Sequence, residues 1–167
     1  MTIDYRLANV NDLEEINLLV QKAISKMEDN DIHQWDELYP TKEDFANDIK
    51  NGDLYAGIIG SEIAVVFALN QESDEDYKNG TWAYPERAYF VLHRLCVNPA
   101  FQNRGVAAKT MQYIEEMLRN KEIQAIRLDV FSKNPYSQRL YARAGYVQTG
   151  TADWRKGRFY LMEKYIR

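Results

Sequence analysis

Apolar positions along the 167-residue chain switch between a helical and a two-residue period, and the switches outline its elements. Ile3 to Leu7 reads as a short first strand. Asn11, with Glu14 three residues on, has the form of a capping box that opens a helix. Behind it Leu13, Ile16, Val20, Ala23, Ile24 and Met27 keep helical spacing. Glu28 to Pro40 is polar and irregular. Thr41 and Asp44 predict the cap of a second helix ending near Asn51-Gly52. Leu54 to Ile59 and Ile63 to Leu69 are apolar runs around Gly60-Ser61-Glu62, a hairpin signal.

Asn70 to Gly80 follows as an acidic, turn-rich connection, and Tyr89 to Val97 is the next strand. Val106, Thr110, Met111, Ile114, Met117 and Leu118 place one face of a helix over 106–120. Ala125 to Phe131 reads as a strand. Asn134-Pro135 starts a helix that runs to Ala144 and stops at Gly145. Two strands, Tyr146 to Gly150 and Phe159 to Ile166, flank a polar turn over 153–157 and close the chain. The predicted order is β-α-α-β-β-β-α-β-α-β-β. Hairpins at both ends favour an α+β fold, a mixed sheet with helices on both faces, over an alternating parallel sheet. Neither a repeat nor a linker interrupts it, so residues 1–167 are read as a single domain.

Composition narrows the class. Hydrophobic residues at 46% and charged residues at 28% are those of a globular chain. A formal net charge of −4 disfavours a general nucleic-acid binder. One cysteine, Cys96, leaves no internal disulfide and suits a reducing compartment. Without a leader-like or membrane-length apolar run, the expectation is a soluble cytoplasmic protein with no membrane partner.

The candidate chemistry centres on Val97-Asn-Pro-Ala-Phe-Gln102-Asn103-Arg104-Gly105-Val106-Ala107. A strand, a glycine-bearing turn and a helix N-terminus form an anion-binding device, because the first helical N–H groups lack internal partners. Such turns also occur for purely structural reasons. Gln102-x-x-Gly105-x-Ala107 resembles the acyl-CoA pyrophosphate loop of the GNAT superfamily of N-acetyltransferases. Asn134-Pro-Tyr-Ser137-Gln-Arg-Leu140-Tyr141, continuing to Gly145-Tyr146, resembles that family's downstream signature, with Ser137 in place of its usual alanine. The resemblance spans essentially the whole chain in element order.

It implies a central, mostly antiparallel sheet splayed at its middle, with acetyl-CoA as co-substrate. It further implies that Gln102, Asn103, Arg104, Gly105, Val106 and Ala107 seat the pyrophosphate. Pantetheine would pair with the main chain of Leu95, Cys96 and Val97, and Asn134 would hydrogen-bond it. Tyr141 would protonate the leaving sulfur. The implied reaction is acetyl transfer to a primary amine of a small molecule or peptide, by direct attack in a ternary complex. A non-catalytic acyl-CoA-binding or sensor module is the alternative.

Each residue also has a plainer reading. Asn134 is a good N-cap without any ligand, Tyr141 a core aromatic, and Arg104 a solvated charge. His93 lies two and four residues before Leu95 and Val97, hence on their face if the strand alternates regularly. Its ordinary pKa suits a general base, while a lone histidine on an apolar strand also fits a core position. Glu86 and Asp129 are further base candidates. Cys96 reads as inert packing and His33 as surface. No metal site is expected, since the two histidines and one cysteine are widely separated. Acceptor contacts are assigned to Trp35 and Tyr84, with Trp82, Glu86 and the Glu72 to Asp76 run nearby. The last strand is the expected dimerisation element of a homodimer.

Overall fold

The computed structural model describes all 167 residues. Its strands are β1 (Asp4–Leu7), β2 (Leu54–Ile59), β3 (Glu62–Asn70), β4 (Tyr89–Val97), β5 (Ala125–Phe131), β6 (Val147–Trp154) and β7 (Gly157–Tyr165). Its helices are α1 (Leu13–Asp29), α2 (Lys42–Lys50), α3 (Val106–Asn120) and α4 (Pro135–Arg143). The strands form one mixed sheet in the order β1-β2-β3-β4-β5-β7-β6. β4 pairs in parallel with β5, over Tyr89–Val91 against Ala125–Arg127, whereas β1·β2, β2·β3, β5·β7 and β6·β7 are antiparallel. The element order is the predicted one.

Contacts group the chain into two compact units, residues 1–69 with 93–110 and residues 70–92 with 111–167. In the first unit α1 and α2 cover one side of the sheet. Ile16, Val20 and Ile24 of α1 meet Phe45 of α2 over Ala56, Val66 and Cys96. The opposite side takes the start of α3, where Val106 and Phe101 pack on Ala64 and Val65 with Leu95 and Val97. The second helix is capped as predicted: Thr41 Oγ1 accepts the Asp44 N–H and the Asp44 carboxylate accepts the Thr41 N–H. The first helix is not. Its box is Asn9 with Asp12, whose short 3-10 turn (Val10–Asp12) leads into α1. Arg6 decides the register, because it holds the Asp12 carboxylate by two hydrogen bonds of 2.7 and 2.9 Å.

The second unit is built on β5, β7 and β6. The closing hairpin is longer than the pattern suggests: both strands run through residues expected as turn, leaving only Arg155-Lys156 between them. Arg158 and Asp153 pair across it at 2.9 Å, so a polar stretch that reads as loop is strand. β7 is hydrogen-bonded on both edges, to β5 and to β6. It therefore has no free edge, and β6 is the edge strand on that side. One face of this hairpin carries Leu161, Ala152 and Trp154, covered by Tyr77 and Trp82. The cover fits closely. A Cβ on Gly150 would sit 2.7 Å from the Asn79 carbonyl oxygen. Trp82 Nε1 donates to the Tyr77 carbonyl at 2.8 Å, and Trp154 Nε1 to Asp76 at 2.9 Å.

Candidate active site

In the first unit the glycine loop is held at both ends and open between them. Asn98 closes the end of β4: its N–H reaches the Ala64 carbonyl at 2.8 Å and its amide the Ile63 carbonyl at 3.0 Å. Its side-chain oxygen caps the 3-10 turn Pro99–Phe101, and Phe101 is buried beneath the loop. Asn103 and Gly105 then adopt left-handed backbone, φ 63° and 77°. Glycine takes that conformation without strain, and asparagine is among the few other residues enriched in it. Such a backbone turns successive N–H groups toward one concave side, the geometry of an anion nest. The first helical bond of α3 runs from the Lys109 N–H to the Gly105 carbonyl at 3.0 Å. N–H groups ahead of it have no i−4 partner in the helix. A Cβ on Gly105 would meet nothing within 4 Å, so this backbone faces open space. Thr110 fixes the first helical turn, bonding the Val106 carbonyl at 2.8 Å and Tyr5 Oη at 2.9 Å. Arg104 is exposed, its guanidinium 5.5 Å from the Phe101 ring centre.

Strand β4, which delivers the chain to this loop, is not regular. Arg94 has φ 52°, a left-handed residue within a strand. Its guanidinium forks onto the buried Asp48 carboxylate of α2 at 2.6 and 2.7 Å and reaches Tyr39 Oη at 3.0 Å. Burial opposes the charge on Arg94, but Asp48 and Tyr39 outweigh it and its pKa is raised. The alternation that groups His93 with Leu95 and Val97 passes through this residue, so it is not a regular two-residue step. Sequence reasoning missed the irregularity, since arginine is not a residue that signals a left-handed backbone. Beyond it the alternation resumes: Leu95 and Val97 pack toward Phe101, and Cys96 toward α1 and α2. Burial pushes the Cys96 thiol up to about 12, which makes it inert as a nucleophile near neutrality. Trp35 is buried in the same cluster as Cys96. His33 is exposed beside Asp31.

In the second unit Asn134 is buried and caps α4, its side-chain oxygen accepting the Ser137 N–H at 3.2 Å. Pro135 follows at the first helical position, where its missing N–H costs nothing. Gln138 secures the turn by donating to the Ser132 carbonyl at 2.8 Å and the Asn134 carbonyl at 3.2 Å. Tyr141, two helical turns after Asn134, is 8% exposed and stands edge-on to Tyr146 at 5.9 Å. Its hydroxyl makes no hydrogen bond within the protein. Burial, and then the Asp129 carboxylate, raise the phenol well above its usual 10.0, so it stays protonated. Asp129 is bonded by the Tyr77 hydroxyl at 2.6 Å, a link from the acidic connection to β5 that no local pattern signals. Tyr84 stacks on Tyr165 at 5.0 Å, with the Arg87 guanidinium over both rings. Glu86 is exposed.

Comparison with known proteins agrees with this geometry. The model of the acetyltransferase (GNAT) family matches residues 12–146, and the chain belongs to that family. It is 28% identical over 160 residues to the uncharacterised N-acetyltransferase YesJ of Bacillus subtilis (strain 168), covering 93% of this chain and 86% of that one. Among solved structures, a GNAT-family acetyltransferase of Streptococcus agalactiae is 26% identical with a TM-score of 0.87, over 99% of this chain and 96% of that one. The fold is also that of the PaiA N-acetyltransferase of Thermoplasma acidophilum, solved with coenzyme A. That protein is 19% identical, with a TM-score of 0.72 over 99% of each chain. Acetyl-CoA is the co-substrate of this family. No helix is long and apolar enough to cross a membrane.

Proposed function

We propose that the chain transfers acetyl from acetyl-CoA to the primary amine of a small molecule or peptide, by direct attack in a ternary complex. The observation that carries the reading is the loop Gln102–Ala107, whose left-handed Asn103 and Gly105 precede the free N–H groups of α3. Backbone donors of that kind bind a pyrophosphate without any lysine. The thioester is the chemistry that acetyl-CoA brings. Val106 and Ala107 contribute N–H groups, and Arg104 adds an exposed charge. The main chain of Leu95, Cys96 and Val97 offers an extended partner to a peptide-like arm. Asn134, buried at the cap of α4, is the proposed hydrogen-bonding side chain for that arm.

Tyr141 gives its phenolic proton to the departing sulfur. Two properties support that role: a proton retained across the working pH range, and a hydroxyl with no partner inside the protein. His93 is the proposed base for the acceptor ammonium, and Tyr84 with Arg87 an acceptor contact. A lone buried thiol fits work in a reducing cytoplasm.

Tyr141→Phe tests the assignment. The expected result is a fall in kcat of about a hundredfold or more with an unchanged Kd for coenzyme A. An unchanged kcat would remove Tyr141 from the mechanism. Coenzyme A binding without transfer to any member of a radiolabelled-acetyl amine panel would replace transfer by a sensor role.

A further inference from the structure

The second unit buries a cation that the reaction above does not use. Arg127, on β5, is 7% exposed. Its guanidinium carbon lies over two aromatic rings, 4.3 Å from the Trp82 ring centre and 3.8 Å from that of Tyr89. None of its nitrogens has a hydrogen-bond or ion-pair partner. Nε is wholly buried, whereas the two terminal nitrogens are not among the fully buried unpartnered atoms. Opposite it on β7 stands Glu163, its register partner, which is fully buried. Glu163 does not close on Arg127. One carboxylate oxygen takes the Ala83 N–H at 2.5 Å and the other has no partner.

An arginine buried without a bonded counter-charge is costly in a folded chain. Here two rings restrain the guanidinium, and a guanidinium presents paired N–H donors in a planar fork. That shape matches a carboxylate, which it would take by two parallel N–H···O bonds. Stacking leaves the edge donors free, unlike an ordinary salt bridge. Arg127 and Asp129 lie on one side of β5, about 7 Å apart along the strand. Asp129 in turn is close enough to influence the Tyr141 phenol.

We propose that Arg127 is a specificity determinant that grips a carboxylate of the acceptor, so the favoured acceptors are amines that also carry a carboxylate, as amino acids do. This rests on the acetyl-transfer reading above.

The test uses matched amines differing only in the carboxylate: L-phenylalanine with 2-phenylethylamine, and L-methionine with 3-(methylthio)propylamine. Binding to the coenzyme A-saturated protein is followed by calorimetry, and acetylation by kcat/KM with acetyl-CoA. The carboxylated member should be favoured at least tenfold in the wild type. Arg127→Met should reduce that preference to about twofold, and Arg127→Lys should leave part of it. Methionine fills a similar volume but leaves the buried Glu163 opposite an uncharged side chain, so a melt first checks that the variant folds, and Arg127→Lys, which keeps the cation, carries the test if it does not. No preference in the wild type, or a preference that survives Arg127→Met, overturns the proposal and leaves a water between Arg127 and Glu163 as the occupant. A carboxylate preference in binding without acetylation of any pair overturns the transfer reading and keeps this one.

Discussion

Removing Asp48 should destabilise the first unit more than any other single polar substitution in it. Both members of the Arg94–Asp48 pair are shielded, with side chains 15% and 8% exposed. The guanidinium makes two bonds to Asp48 and one to Tyr39. Asp48→Ala would leave a buried cation with only the Tyr39 hydroxyl. Breaking a buried pair from one side costs about 3–5 kcal/mol, and the surviving hydroxyl favours the lower end, about 3 kcal/mol. For a chain of this size each kcal/mol moves Tm by about 2–4 °C, so a fall of about 6–12 °C is expected. The double variant Asp48→Ala with Arg94→Met should recover about half of the loss, because no cation is then stranded. Urea melts of the two single variants and the double variant, in low and in 1 M salt, give the coupling directly. Salt should change it little, since shielded charges are poorly screened. A loss below about 1 kcal/mol for Asp48→Ala, or a coupling that vanishes in salt, would refute the reasoning.

Two further outcomes concern stability. The Tyr146 hydroxyl is buried without a partner, so Tyr146→Phe should raise stability by about 1 kcal/mol in a urea melt, and a loss of that size would contradict the assignment. The Cys96 thiol is raised from 9.0 to about 12 by burial. Because the unfolded chain ionises first, the contribution of Cys96 is full below pH 9 and declines as pH rises toward 12. Cys96→Ala should flatten that part of the alkaline stability profile, and an unchanged profile would assign the decline to the buried tyrosines.

Local pattern found most of the elements because it reads features that local physics controls. Strand β4 and helices α2 and α3 are bounded by their own caps, glycines and apolar faces, and the structure returns them at or within a residue of the predicted limits. The cap of α1 failed because its choice between Asn9 and Asn11 depends on Arg6 reaching Asp12 across a turn. The closing hairpin failed for a related reason: paired residues Asp153 and Arg158 look like a loop until the partner strand is in place.

The sequence by itself determined the glycine loop, the N-cap at Asn134 and the spacing that sets Tyr141 two turns beyond it. These are properties of one continuous segment each, governed by backbone conformation and helix period. Tertiary structure decided which charges are buried and what accompanies them. Arg94 with Asp48, Tyr77 with Asp129, and Arg127 opposite Glu163 join residues far apart in the chain. The energy of such a pair depends on burial and distance, quantities that exist only once the chain has folded.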